Sequence, residues 1–380
     1  MEESAQAGRS HKDWVSSDQL DGEVVPEFYF AEHRALGDSV ILTFDAKNSD
    51  LAKNFPLILP NGLKLTYGEI NGLAGDLYGT ITPISDGKTE TERQALFNQA
   101  FDSLAKDTKY APVEVLEFLQ IFQQELEAVD TAIRIGVPPS KAYAKAGDVT
   151  DRRLALATLN RQSGLPSYLD LALVNFDHFG EDAEIAYNAG HAAAIQYALR
   201  DDCALPVAYA MDAFAAHFLQ DRFSAGHLRV PRRLLHGGLL SIADYCCRLM
   251  HDEEGDIGLS VSNLNGDTWE MRGDTSIFDD VSRQNRDICL KAIQASVDEV
   301  YHAWRDKTKP NSYKAWTYAP TLESAQKGQR FAPLFTVSST NNTNKPTLLR
   351  RKDISDRTQF VYIPNWTYFG TALKCKLNGL

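Results

Sequence analysis

Apolar residues recur at every third or fourth position over long stretches of the chain, which is the spacing of amphipathic helices. One such stripe includes Val113, Leu116 and Phe122. The pattern predicts helices over residues 91–106, 112–135, 151–161, 182–199, 206–223, 232–250 and 279–304. The sequence therefore predicts a mainly α-helical protein.

Shorter apolar runs separated by turn residues predict small β elements. Residues 28–65 are β-like or irregular, and residues 257–269 predict a hairpin that turns at Asn265-Gly266. Strand-like runs at 331–337 and 358–363 flank a Ser/Thr/Asn-rich linker at 338–345. We expect a flexible N-terminal segment (1–27), a helical catalytic domain (28–305) and a small β-rich C-terminal appendage (306–380).

Composition narrows the classes of protein. The 380 residues carry a formal charge of −12, which argues against non-specific binding to nucleic acid or to an anionic membrane. No apolar run approaches a membrane span, and the acidic start Met1-Glu-Glu lacks the apolar core of a secretory signal. We therefore expect secretion or delivery by a non-classical route, with a cytoplasmic location as the alternative.

The five cysteines contain no Cys-x2-Cys pair, so neither a disulfide framework nor a thiolate metal site is expected. Any metal must be held by histidines and carboxylates. The strongest signal for this is the run from His217 to His227, a His-x3-Asp-x5-His pattern with Asp221 in the middle. Residues four apart lie on one helix face, where an imidazole and a carboxylate can bind one ion. A carboxylate can also bridge two ions, and these ligand types suit Zn²⁺.

Other candidate ligands are spread along the chain. His178 lies before the Ala-rich helix, Asp76 lies in a Gly-rich loop, and His33 is also close to a glycine. His251 ends the helix that follows the central motif, with Glu254 or Asp252 as its acidic partner. The competing interpretations are a turn residue for Asp76 and a helix-capping cation for His251. His191, inside the Ala-rich helix, is interpreted as a core histidine.

The order of these residues resembles the zinc-dependent phospholipase C family, which shares its fold with fungal single-strand-specific nucleases. The resemblance covers about residues 28–305. Residues 210–229, with His178-Phe179 upstream, look most like the bacterial branch that hydrolyses phosphatidylcholine, some members of which are delivered by pathogens. This resemblance implies a helical fold with up to three zinc ions in one cleft.

The resemblance also implies a ligand set. Asp76, His178, His217 and Asp221 would surround one zinc, and Asp221 would bridge to a second zinc held by His33. His227 and His251 would hold the third with an acid, Glu254 being preferred over Asp252. The sequence departs from the family in three places. Met1 is not an evident ligand, the stretch from Asp76 to His178 is longer, and Gly255 stands where the last acid is expected.

The resemblance implies a phospholipase C that hydrolyses phosphatidylcholine through metal-activated water, with Asp76 as the candidate general base. Its partners would be the phospholipid substrate and, transiently, a membrane surface, with no specific nucleic acid. One alternative is a single-strand nuclease or other phosphodiesterase that uses the same cluster. A second is a non-catalytic helical effector in which zinc is structural.

Overall fold

The structure is a computed structural model that describes residues 30–238, 241–339 and 346–379. The predicted flexible segment 1–27 lies outside the described residues, as does most of the predicted linker. The chain divides into two compact units. Within the described residues, the larger unit comprises 30–230 and 254–329, and the smaller comprises 231–253 and 330–379. The smaller unit thus joins a segment from the middle of the chain, 231–253, to C-terminal residues that begin at 330.

The protein is mainly α-helical with small antiparallel sheets, as the sequence predicts. The helices are α1 (Phe30–Asp38), α2 (Tyr67–Leu73), α3 (Glu90–Ala105), α4 (Ala111–Arg134), α5 (Ser140–Thr158), α6 (Tyr168–Leu173), α7 (Gly180–Ala198), α8 (Leu205–Asp221), α9 (Ala225–Leu228), α10 (Ile242–Ile257), α11 (Arg283–Asp306), α12 (Ala315–Tyr318), α13 (Leu322–Gln326) and α14 (Tyr368–Leu377). The strands are β1 (Ile41–Asp45), β2 (Asn48–Leu51), β3 (Leu57–Ile58), β4 (Lys64–Leu65), β5 (Leu259–Ser262), β6 (Thr268–Met271), β7 (Phe335–Ser339), β8 (Pro346–Arg351) and β9 (Tyr362–Ile363). None of the described helices combines the length and apolar character that crossing a membrane requires.

Three helix starts differ from the prediction by four residues or more, and one predicted hairpin is confirmed. Helix α5 begins at Ser140 instead of 151, α10 begins at Ile242 instead of 232, and α11 begins at Arg283 instead of 279. The late start of α10 follows from local capping, because the Ser241 hydroxyl accepts the N–H of Asp244 at 3.1 Å. Strands β5 and β6 pair antiparallel across the predicted turn, where Gly266 has a φ of +85°.

Helix α8 is the central helix of the larger unit. Every residue from Ala208 to Asp221 is buried, so the helix has no solvent-facing side. A helix that is apolar on most sides belongs in a core, and the few polar groups on it must find partners there. His217 and Asp221 are therefore core residues and do not lie on a solvent-exposed helix face.

Small residues let α7 approach its neighbours closely. A Cβ at Gly190 would lie 2.3 Å from the Phe97 ring of α3 and 2.6 Å from the Ala215 Cβ of α8. Only glycine fits this position without moving both neighbours. The close packing of α3, α7 and α8 fixes the frame that carries His217 and Asp221.

The start of α2 is set by a capping box. The Thr66 hydroxyl accepts the N–H of Glu69 at 3.1 Å, and the Glu69 carboxylate accepts the N–H of Thr66 at 3.0 Å. At the other end of this short helix, the Asn71 amide donates to the Ala213 carbonyl of α8 at 3.0 Å. The helix is therefore anchored at both ends, and the loop that contains Asp76 follows directly.

The smaller unit combines the three-stranded sheet β7-β8-β9 with α14 and most of α10. Its buried ion pairs join segments that are distant in sequence. Arg351 of β8 makes two hydrogen bonds with Glu253 of α10, at 2.9 and 3.0 Å, and Arg357 donates to the same carboxylate at 2.6 Å. These contacts explain why residues 231–253 group with the C-terminal residues.

Candidate metal centre

The centre is built on the last turn of α8. His217 and Asp221 are four residues apart on this helix and both are fully buried, with 3.7 Å between His217 Nε2 and Asp221 Oδ2. The predicted i, i+4 pairing of imidazole and carboxylate is present in the structure. The site therefore lies inside the larger unit, below its surface.

Three further histidines approach the same carboxylate. His178 Nδ1 lies 2.9 Å from Asp221 Oδ2, whereas His33 Nε2 and His227 Nδ1 lie 3.6 and 3.8 Å from Oδ1. With His217, four imidazoles surround Asp221. Neither Asp221 oxygen accepts a well-aligned hydrogen bond from the described part of the chain. A buried carboxylate placed in this way could hold a metal ion together with His33 and His217.

The loop after α2 brings backbone and a second carboxylate to the histidines. Asp76, His178 and His217 each offer a ligand atom within 4.8 Å of the others. Gly75 has a φ of +73°, and a Cβ there would lie 2.9 Å from His178 Nε2 and 3.1 Å from His217 Nε2. The absence of a side chain at Gly75 keeps the space beside these two nitrogens open.

Hydrogen bonds orient three of the rings. The Nδ1 atom of His217 is 2.9 Å from the Asn71 carbonyl, and the Nδ1 atom of His227 is 2.9 Å from the His178 carbonyl. In His33, Nδ1 lies 2.7 Å from Gln220 Oε1 and Nε2 is directed at Asp221. An imidazole whose one nitrogen is held in this way presents the other to a metal in a defined direction.

Burial sets the charge of these groups. It lowers the pKa of His217 well below its ordinary value, and nearby His33 adds to this effect. Burial also lowers the pKa of His33. For Asp221, burial alone would raise the pKa, but neighbouring His217 and His178 bring it down to about 2. Neutral imidazoles beside an ionised carboxylate are the protonation states that metal binding requires.

The acid beside His227 is one that the sequence analysis did not select. Asp274 Oδ2 lies 3.4 Å from His227 Nε2. Glu254, the preferred candidate, accepts a hydrogen bond from Arg229 Nε at 2.5 Å. Asp274 follows Gly273 in the loop after the β5–β6 hairpin, and a Gly-Asp pair in a loop is the only sequence signal that points to it. The role of Glu254 as a ligand stays a prediction.

His251 is described with the smaller unit. It is buried on α10, with Nδ1 3.0 Å from the carboxylate of Asp252, the alternative acid. Its role as a metal ligand stays a prediction from the sequence. The other predicted ligands, namely His33, Asp76, His178, His217, Asp221 and His227, lie together in the larger unit.

A small open pocket of about 30 Å³ adjoins the centre. His178 and Gly75 form part of its wall, and the remainder includes Gly79, Leu171, Val174 and Phe218. No lysine or arginine of the described ranges lines it.

His191 belongs to a separate buried cluster. Its Nδ1 lies 2.7 Å from Asp212 Oδ1, and its Nε2 lies 2.9 Å from Glu299 Oε2. The hydroxyls of Tyr67 and Ser296 donate to the Asp212 carboxylate at 2.8 and 2.7 Å. The interpretation of His191 as a core histidine agrees with this burial, although its partners are carboxylates and not a carbonyl.

Comparison with known protein families, with curated proteins and with solved structures gave no match for this chain. The geometry of the centre is therefore the basis for assigning a function.

Proposed function

We propose that the protein is a zinc-dependent phosphodiester hydrolase, and specifically a phospholipase C that cleaves phosphatidylcholine to diacylglycerol and phosphocholine. The observation that carries this proposal is Asp221 surrounded by four imidazoles, with Asp76 beside two of them. Imidazole nitrogens and carboxylate oxygens without thiolates are a ligand set that suits zinc.

Zinc bound by these residues would lower the pKa of a coordinated water and offset the charge of a substrate phosphate. The protein's own groups have separate tasks. Asp221 and the histidines hold the ions, and the hydrogen bonds from their rings to Asn71, Gln220 and the His178 carbonyl fix their directions. Asp76 is half-buried and directly follows Gly75, which lines the pocket, and its carboxylate would accept the proton of an attacking water.

The residues that line the pocket favour a lipid over a nucleic acid as the substrate. A nucleic-acid site normally carries cationic side chains that contact several phosphates, whereas this pocket is lined by apolar, glycine and neutral polar residues together with Asp177 and His178. The overall charge of −12 also repels a polyanion. A zwitterionic headgroup carries no net charge and meets no such repulsion.

Exposed aliphatic side chains on α4 and α5 support contact with a membrane surface. Leu116 at the start of α4 is 61% exposed and Leu156 at the end of α5 is 74% exposed. Arg161 joins these ends to the Asp76 loop, because it donates to Glu114 and to the Leu77 carbonyl, each at 2.7 Å. Such side chains can enter the headgroup region of a bilayer. The proposal also includes secretion by a non-classical route.

The test compares substrates for the zinc-loaded protein. We expect diacylglycerol from phosphatidylcholine vesicles, no cleavage of single-stranded DNA, and about three zinc ions per chain by elemental analysis. His217→Ala should abolish hydrolysis, whereas His302→Ala, at an exposed histidine far along the chain, should leave it unchanged. DNA cleavage without lipid cleavage would favour the nuclease alternative. Bound zinc with neither activity would indicate a structural role.

A further inference from the structure

Glu32 connects two parts of the candidate centre that are far apart in sequence. It lies on α1 immediately before His33 and is fully buried. Its Oε2 accepts the N–H of Thr275 at 2.9 Å, and its Oε1 accepts the N–H of Ile277 at 3.0 Å. One side chain thus ties the helix of His33 to the loop that contains Asp274.

That loop has a backbone conformation that needs support. Thr275 has a φ of +69°, which places a β-branched residue in the left-handed region. Such residues rarely adopt this conformation, and they keep it only where the surroundings impose it. Because Asp274 is the preceding residue, the strained φ lies one peptide bond from the carboxylate that faces His227.

The loop is held on both sides of Asp274. On one side, the Gly273 N–H donates to the Gly255 carbonyl at 3.1 Å, and a Cβ at Gly273 would lie 2.4 Å from the Gly255 Cα. On the other side, the two hydrogen bonds to Glu32 hold residues 275–277. Asp274 thus lies between the close contact of Gly273 with Gly255 and the buried carboxylate of Glu32.

We propose that Glu32 is a positioning residue of the metal centre. By accepting the N–H groups of Thr275 and Ile277, it holds the Asp274 carboxylate next to His227 while its own helix presents His33. This inference rests on the proposed metal centre, and it extends that proposal by assigning a function to a residue that is itself no ligand. Outer groups of this kind typically change metal affinity by about 10- to 100-fold.

Glu32→Gln is the main test, because glutamine keeps the size of the side chain but offers one acceptor oxygen where two are needed. We expect one zinc ion per chain to be lost at about 10- to 100-fold lower EDTA concentration than in the unaltered protein, with the remaining ions retained. Asp279→Asn is the matched control. Asp279 accepts the N–H and the hydroxyl of Ser140 at 3.1 and 2.7 Å, so its loss weakens the same segment away from Asp274. The control should retain every ion.

The double variant Glu32→Gln with Thr275→Gly separates the positioning of the Asp274 loop by Glu32 from a general effect on packing. Glycine adopts the left-handed φ without strain, so the loop then depends less on Glu32 and part of the lost affinity should return. This variant also provides the measurement if Glu32→Gln alone does not fold. Unchanged zinc retention in Glu32→Gln, or equal loss in Asp279→Asn, would overturn the role of Glu32. An unaltered protein that binds no zinc would instead overturn the proposed function.

Discussion

Two buried clusters of histidine and carboxylate side chains lie along helix α8. Imidazoles outnumber carboxylates in one cluster, and carboxylates outnumber imidazoles in the other. At Asp221, four imidazoles surround one carboxylate. At His191, two carboxylates enclose one imidazole, and hydroxyl groups complete the hydrogen bonding of Asp212. The same residue types therefore produce two different electrostatic results within one core.

The pKa values express this difference. Burial alone would lower the pKa of His191, but its hydrogen bonds to Asp212 and Glu299 raise it to about 9. The cluster thus holds its own cation at neutral pH. At Asp221, burial lowers the pKa of His217, so an ionised carboxylate lies beside a neutral ring. The His191 cluster already contains a cation that is hydrogen-bonded to its carboxylates, whereas the Asp221 cluster has a carboxylate and imidazole nitrogens that could hold a metal ion.

The largest expected effect is a contrast between the two aspartates of α8. Asp221→Asn should weaken zinc binding by more than about 100-fold, beyond the usual cost of losing an outer group, and should abolish hydrolysis. Asp212→Asn should keep the zinc but lose about 3–5 kcal/mol of stability, because it breaks a buried charged pair. Elemental analysis and chemical denaturation measure the two quantities. Equal loss of zinc in both variants would contradict the comparison.

The charge of His191 gives a second test through pH. Because its folded pKa of about 9 is above its ordinary value of 6.5, its stabilisation is complete below pH 6.5 and is lost as pH rises through 9. The loss should amount to about 3 kcal/mol. The measurement is the difference in unfolding free energy between the unaltered protein and His191→Gln, followed from pH 6 to 10. A difference that does not vary with pH would show that His191 is neutral.

Glu125 provides a third buried carboxylate for this comparison, because no histidine is among the groups that shift its pKa. It is fully buried on α4. Burial is the main cause that raises its pKa to about 8, and repulsion from Asp151 is the second cause. The folded state holds this proton more tightly than the unfolded state, so stability falls as pH rises from 4.5 to about 8. The slope contributed by Glu125 should approach about 1.4 kcal/mol per pH unit.

Glu125→Gln should remove that slope and make the protein more stable than the unaltered chain at pH 9. Glu117→Gln, on the exposed side of the same helix, is the control and should change neither the slope nor the stability. Denaturation curves at pH 5, 7 and 9 are sufficient for the measurement. If Glu125→Gln behaved like the control, burial would not raise the pKa of Glu125, and the contrast with Asp221 would be lost.

Periodic features of the fold and site could be predicted from the sequence. The spacing of His217 and Asp221 on a helix is visible in the chain, because helix geometry converts four residues into one face. The mainly helical fold follows from the same periodicity. The hairpin at Asn265-Gly266 follows from turn chemistry that is local in sequence.

Features that depend on distant contacts could not be predicted. Asp274 lies near His227 because Glu32 and Gly255 hold its loop, and neither contact leaves a periodic pattern. The smaller unit joins residues 231–253 to the C-terminal segment through pairs such as Glu253–Arg351, so composition along the chain does not mark its limits. The charge of His191 depends on Asp212 and Glu299, which lie on two other helices.

The complete burial of α8 has a consequence for how ions reach the centre. Because residues 208–221 are all buried, and because Gly75 and His178 line the adjoining pocket, we expect ions to reach His178 and His217 through that pocket, past Gly75. The metal ions and a ligand of the pocket would then use the same opening. A molecule bound in the pocket would slow the escape of the ions behind it, and on the proposed function a phosphatidylcholine headgroup would thereby protect the metal from chelators.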